Sequence, residues 1–301
     1  MSERREHYAF WVKLATRASV LVVFTLIGLK LWAWWVTESA SMLASLTDSL
    51  LDSGASIFSF FAIRYAIQPA DNEHRFGHGK AESLAALAQS AFIAGSSVLL
   101  IFHSTEQWLR GDTLPQTDLG IWVSGFAIII TFGLLVIQRL AIRHTNSQAV
   151  AADHLHYQSD ILLNATVIIA LVMAQFGYTW ADSAFAIVIA LYLIIGASKI
   201  GWDAFQALMD RELEQSQLAE IERLAKSVTG VEGMHGLRTR AAGPTRFIQL
   251  HIELDDRISL LRAHAIADEV EMELMRAFPG ADIIVHMDPM IIAQVENNPS
   301  Y

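Results

Sequence analysis

Long apolar stretches near Phe10–Val36, Ser39–Ile67, Lys80–Leu109, Thr117–Ile142, Gln148–Phe176 and Thr179–Met209 are separated by short polar connections. A helix needs about 20 apolar residues to cross a bilayer, so each stretch is long enough to span once. After Met209 the pattern changes. Ser216 stands where it can cap a helix whose apolar positions are Leu218, Ile221, Leu224 and Val228. His235–Arg240 and Thr245–Leu254 flank a Gly243-Pro244 turn, and Ile248, Leu250, Ile252 and Leu254 alternate along the second run as one face of a strand. Ser259 precedes another helix with the stripe Ile266, Val270, Leu274 and Phe278, and Ala281–Met287 closes as a strand. The expected fold is an α-helical membrane protein with six transmembrane helices (residues 1–210), followed by a small cytoplasmic α/β domain of order αββαβ (211–292) with its helices on one side of the sheet. A polar tail (293–301) is expected to be disordered.

Composition agrees with a membrane chain: 53% hydrophobic and 17% charged, against about 45–50% and about 25% in soluble proteins. The first apolar run lacks a small-residue cleavage site and is expected to stay as an anchor. Arg4, Arg5, Lys13, Arg17, Arg64, Arg75, Lys80, Arg139, Arg143 and Arg211 gather on one side of the six-span topology, whereas the opposite connections offer only Arg110. The positive-inside rule then places both termini in the cytoplasm. Ala81, Ala85, Ala88, Ala91 and Gly95 let the third span pack closely against a neighbour. Cysteine is absent, which excludes disulfides and thiolate sites and leaves any metal to nitrogen and oxygen ligands. A net charge of −10 argues against a nucleic-acid partner.

Two polar pairs interrupt the apolar pattern. Asp48 and Asp52 share a helix face on the second span, and His156 and Asp160 repeat the same spacing on the fifth. Ionisable groups inside a membrane are costly and usually face a partner or a water-filled path. Three carboxylates and an imidazole around a divalent ion make a tetrahedral site of the zinc type. At about 1.5 Å per residue, Asp52 lies roughly 20 Å below the outer end of its span and Asp160 roughly 18 Å above the inner end of its own. Within about 40 Å of bilayer the pairs meet near the midplane, where transporters hold substrate. The competing reading, structural residues paired with a lysine, is disfavoured because Lys30 and Lys199 sit nearer helix ends. Asp153, one turn from His156, reads as a surface carboxylate, and His154 as a solvated cytoplasmic residue.

Two further clusters leave alternatives open. Asp71, His74 and His78 in the connection after the second span are either a metal site or a polar loop. His235, His251, His264, His286 and Asp288 are either one or two metal sites or solvated surface groups. His251 shares the face away from the core with Gln249 and Glu253, so a site there is expected to form against a second subunit. The histidines look too dispersed for one compact cluster. Gly77-His78-Gly79-Lys80 is not a phosphate loop, because His74 and Ala81 occupy the places of its first Gly and its Ser or Thr.

The motifs Thr47-Asp48-Ser49-Leu50-Leu51-Asp52, Asp71 through Glu82 and His156-Tyr157-Gln158-Ser159-Asp160 resemble those of the cation diffusion facilitators, in their bacterial ferrous-iron and zinc efflux branch. The resemblance covers nearly the whole chain. It implies a metallochaperone-like cytoplasmic domain, a transport site of Asp48, Asp52, His156 and Asp160, a loop site of Asp71, His74 and His78, and a two-metal site of His235, His251, His264, His286 and Asp288 near a dimer interface. It further implies that Lys80 and Asp210 pair to lock a homodimer.

Moving a doubly charged ion outward against about 100 mV costs about 4.6 kcal/mol at about 2.3 kcal/mol per charge. With no ATP motif, another gradient must drive it. A histidine titrates near 6.5 and metal displaces protons from its ligands, which points to metal/proton antiport. The expected cargo is Zn2+, with Cd2+ or Fe2+ as variants, and Zn2+ also as a regulatory or structural ion. No organic cofactor is expected. A membrane metalloenzyme would keep one zinc position for water and is disfavoured by four protein ligands. A membrane-tethered metal sensor would not need the intramembrane set.

Overall fold

The computed structural model describes residues 3–37, 40–110, 118–176, 178 and 180–291. Some helical side chains, including those of Asp48 and Asp52, lie outside that description, as does the 293–301 tail. Six long helices come first: α1 (Glu3–Thr37), α2 (Ala40–Ala66), α3 (Lys80–Arg110), α4 (Asp118–Thr145), α5 (Gln148–Gln175) and α6 (Ala181–Leu208). Among the described residues four segments are long and apolar enough to cross a membrane: Glu6–Val36, Lys80–Arg110, Gly125–Thr145 and Ala181–Leu208. The helices α2 and α5 are of similar length, 27 and 28 residues, and α5 carries Asp153, His154, His156 and Asp160 along its length.

The chain divides into two compact units at Phe205–Gln206. In the first, the helices are held by apolar layers and by buried polar contacts. One layer joins Val12, Ala15, Ile63, Ala85, Ala141 and Val150, one or two residues from each of α1 to α5. A second joins Val22, Val23, Leu134 and Tyr157. Glu82 is buried near the start of α3 and accepts from the Tyr8 and Ser147 hydroxyls and from the backbone N–H groups of Gln148 and Ala149. A carboxylate at the first residues of α5 satisfies donors that have no partner inside the helix and complements its dipole.

The second unit holds α7 (Gln215–Ser227), β1 (Gly233–Ala242), β2 (Thr245–Leu254), α8 (Leu260–Ala277) and β3 (Asp282–Pro289), in the αββαβ order. The sheet order is β1-β2-β3, with β1 antiparallel and β3 parallel to β2. Ile248, Leu250, Ile252 and Leu254 are all buried, packing with Ile221, Ile266, Val270 and Leu274 of the two helices. Alternation along β2 therefore sends one set of side chains into the core and leaves Gln249, His251 and Glu253 on the other face. The Ser259 hydroxyl caps α8 by accepting from the Arg262 N–H at 3.3 Å. Ser216 does not cap α7. The helix starts two residues earlier than that cap would set it, its N-cap is Glu214, and that side chain makes no capping hydrogen bond.

Candidate metal sites

The loop between α2 and α3 folds around Asp71. Its Oδ1 accepts from the backbone N–H groups of His74 at 2.6 Å and Glu73 at 2.9 Å, the local turn that aspartate side chains favour. Gly77 follows with φ 81°, a left-handed conformation that costs glycine nothing. The reversal brings His74 Nδ1 within 3.4 Å of Asp71 Oδ1 and His78 Nε2 within 3.2 Å of Asp71 Oδ2. The two imidazoles lie 4.7 Å apart, and Tyr65 from the end of α2 packs on His78 at 4.4 Å. The His74 N–H, with smaller help from the Glu73 N–H and the two imidazoles, holds the Asp71 carboxyl below its ordinary range. His78 is buried, and neither ring nitrogen makes a hydrogen bond. A buried imidazole without hydrogen bonds, facing an anionic carboxylate and a second histidine, is a donor set that suits a borderline divalent ion.

In the second unit, strand register does what spacing along the chain could not. His235 pairs with His251 across β1 and β2, and His251 with His286 across β2 and β3. The three imidazoles form a row with ring centres 5.0 and 4.7 Å apart. Asp288, buried at the end of β3, reaches all three: its Oδ2 lies 2.7 Å from His251 Nδ1 and 3.4 Å from His235 Nε2, and its Oδ1 lies 3.1 Å from His286 Nε2. His235, His251 and Asp288 bring their ligand atoms within 4.8 Å of one another. The expected dispersal of the histidines is therefore corrected: the sheet gathers them within one chain. His264 takes a separate place on α8, its Nε2 3.5 Å from Asp268.

Glu253, unassigned from the sequence, also belongs to this cluster. Its Oε1 lies 2.9 Å from His235 Nδ1, and its strand partner on β3 is Asp288. Its position two residues after His251 was the available signal. Two glycines of β1 make room. A Cβ on Gly233 would stand 2.3 Å from Glu253 Oε2, and one on Gly236, at φ +60°, would stand 3.0 Å from His251 Cδ2. A β-bulge between His235 and Arg238 accompanies them.

Within the helical unit, α5 places His156 and Asp160 one turn apart, with His156 buried and Asp160 half-buried. The backbone of α2 carries Asp48 and Asp52 one turn apart. Near them, Lys30 on α1 reaches across to α2, its Nζ donating to Ser49 Oγ at 2.5 Å. The two helices that carry the four residues touch through Ser56 on α2, whose hydroxyl lies 3.0 Å from the Tyr157 hydroxyl.

Asp153 is not a surface carboxylate. It is only 3% exposed and accepts a hydrogen bond from each of four other helices: Ser19 Oγ of α1 at 2.7 Å, Gln138 Nε2 of α4 at 2.8 Å, Ser56 Oγ of α2 at 3.1 Å and Gln89 Nε2 of α3 at 3.2 Å. His154 is half-buried, with Nδ1 3.3 Å from Gln138 Oε1. Nothing local in the sequence distinguishes a carboxylate solvated by water from one solvated by serines and glutamines of distant helices. Lys80 opens α3, and Asp210, at φ 58°, faces Arg240 at 3.3 Å.

Apolar helices long enough to cross a membrane, joined to a small α/β unit bearing a histidine-carboxylate cluster, define a membrane protein that handles metal cations. The chain belongs to the cation efflux family, the cation diffusion facilitators: residues 16–209 match its transmembrane domain and residues 213–290 its cytoplasmic domain. It is a cation efflux transporter. The cation-efflux pump FieF of Shewanella oneidensis is 52% identical over 94% of this chain and 96% of its own length. The FieF of Pectobacterium atrosepticum is 49% identical over 94% of this chain and 95% of its own. A zinc-form structure of CzrB is 29% identical over 27% of this chain and 92% of its own, with a TM-score of 0.26.

Proposed function

We propose that the protein exports Zn2+ from the cytoplasm in exchange for protons, with Cd2+ and Fe2+ as alternative cargoes, and that Asp48, Asp52, His156 and Asp160 form the transport site. The contact of Ser56 with Tyr157 is the observation that carries this reading. All six long helices cross the membrane in it, so α2 and α5 run in opposite directions. Asp52, one turn before Ser56, then falls level with Asp160, one turn after His156. Three carboxylates and one imidazole suit zinc, and their lower affinity for protons once metal is bound couples the two ions. Asp48 and Asp52 on α2 and His156 and Asp160 on α5 are ionisable groups within apolar helices, as expected of spans that face a water-filled path.

In this reading both termini are cytoplasmic in a bacterial inner membrane, residues 1–210 form the transport domain and residues 211–292 the cytoplasmic domain. The loop set Asp71, His74 and His78 and the cytoplasmic set His235, His251, His264, His286 and Asp288 hold metal in regulatory or structural roles. For the second set, His264 would join only when a second subunit presents it. Lys80 and Asp210 would pair in that homodimer. Flux measured in proteoliposomes, with zinc, cadmium, iron(II) and manganese in competition and an imposed pH gradient, tests the reading. Zinc uptake should follow the proton gradient and disappear in Asp160→Ala. Flux that ignores the gradient, or survives that substitution, would remove the antiport or the site.

A further inference from the structure

Asp153 sits between two apolar layers of the helical unit. On the side of the α5 N-terminus lies the layer of Val12, Ala15, Ile63, Ala85, Ala141 and Val150. On the side of His156 lies that of Val22, Val23, Leu134 and Tyr157. Between them, Ser19, Ser56, Gln89 and Gln138 are each no more than 3% exposed, and each donates to the one carboxylate. An ionised carboxylate offers about four lone-pair directions, and four donors fill them. All four donors are uncharged. The anion is held by fixed dipoles of neighbouring helices, an arrangement that is complete without a metal ion.

We infer that Asp153 is a positioning residue for transport, a latch that ties the helix of His156 and Asp160 to α1, α2, α3 and α4 and closes the cytoplasmic path to the transport site. The inference rests on the proposed site and topology, which put the α5 N-terminus in the cytoplasm. Alternating access needs helices to rock past one another around a fixed site. Any displacement of α5 against a neighbour strands a donor and uncovers a charge in a region with no bulk water, so the bonds break together. That gives two discrete arrangements with little between them, the property a gate requires. The Ser56 hydroxyl also meets that of Tyr157, which couples the latch to the next turn of α5.

The chain has no cysteine, so a single reporter is clean. Ser53→Cys places a thiol on α2 one turn beyond Ser56, at a position only 7% exposed. Full-length protein in inside-out membrane vesicles, without added metal, is labelled with a membrane-impermeant maleimide from the cytoplasmic face. Asp153→Asn turns an accepting oxygen into a donor at unchanged size, and labelling should rise about tenfold. Exchanging the pair, with Asp153→Asn and Gln138→Glu together, restores a carboxylate-amide contact across the same two helices. It should return labelling, and the maximal zinc flux, to within about threefold of the parent. Gln89→Met removes the α3 donor alone and should raise labelling about threefold. Unchanged labelling in Asp153→Asn or in Gln89→Met, or an exchanged pair as open as Asp153→Asn alone, overturns the latch. Persistent flux in Asp160→Ala would overturn the transport site instead, and the labelling is read without reference to flux.

Discussion

Asp153 and Asp288 are both buried carboxylates that gather partners from several secondary-structure elements, and they differ in what surrounds them. Asp153 receives two hydroxyls and two side-chain amides from four helices. Asp288 faces three imidazoles from three strands. A hydroxyl or amide N–H only donates to the anion. An imidazole nitrogen can donate to it or, once deprotonated, direct a lone pair at a metal. The same side chain therefore ties helices together in one unit and centres a cluster able to hold a metal ion in the other. Its neighbours decide which. Burial alone does not identify a metal site; the lone pairs left over by the neighbours do.

The largest expected effect separates both from the transport site. If the proposed transport site holds the cargo, Asp52→Ala and Asp160→Ala should each reduce proton-driven zinc flux by at least about 100-fold, because a ligand lost from four leaves no substitute inside a membrane. Size-exclusion chromatography and thermal unfolding should show the variants still assembled. Next comes the centre of the cytoplasmic cluster. Asp288→Ala should weaken zinc binding by full-length protein at that cluster by about 10- to 100-fold, with flux reduced only in part. Calorimetric titration in a background that carries both Asp160→Ala and Asp71→Ala isolates that signal from the transport and loop sites. Equal loss of flux in Asp288→Ala and Asp160→Ala would erase the distinction between the two regions.

A smaller effect tests how the cluster is shaped. Gly236→Ala combines a left-handed φ with a Cβ 3.0 Å from the His251 ring. It should cost about 1–2 kcal/mol of domain stability and shift the metal titration with it. His156→Asp should move selectivity toward harder ions such as manganese and shift the pH profile of flux downward, since an oxygen ligand replaces the imidazole and titrates lower. Competition flux at several pH values reads both. The smallest effect belongs to the loop. Asp71 has a folded pKa below its unfolded value, with the His74 N–H as main cause. Its contribution to loop order is therefore full above the unfolded value, about 3.9, and is lost as pH falls through the lower folded one. Carboxyl chemical shifts followed by NMR should show that titration, and an upward-shifted Asp71 would contradict the loop geometry.

Local pattern carried much of the architecture. Long apolar runs located α1 to α6 to within a few residues at most ends, and alternation in β2 named its core face, Ile248 through Leu254. A helix start was harder: Ser216 and Glu214 both offer oxygens, and a two-residue shift turned the expected cap into a helical residue. The sites divide on the same principle. Asp71, His74 and His78 are close in sequence, and one turn joins them. His235, His251 and His286 looked scattered because strand partners are set by topology, and a parallel β3 was needed to bring Asp288 beside Glu253. Asp153 was misread because four distant helices supply its surroundings. Its place one turn from His156 on α5 was legible; its company was not.

The order of strands in the chain has a kinetic consequence. The hairpin of β1 and β2 brings His235 and His251 together locally, with a short turn at Gly243. Asp288 and His286 arrive only after α8 has crossed over and β3 has docked in parallel. Non-local pairings of this kind form late, because loop closure must come first. A ribosome releasing this chain therefore finishes the histidine row with almost the last residues of the domain. A copy in which β3 has not docked has the hairpin imidazoles without the carboxylate that organises them, so metal held at this cluster would report that β3 is in place.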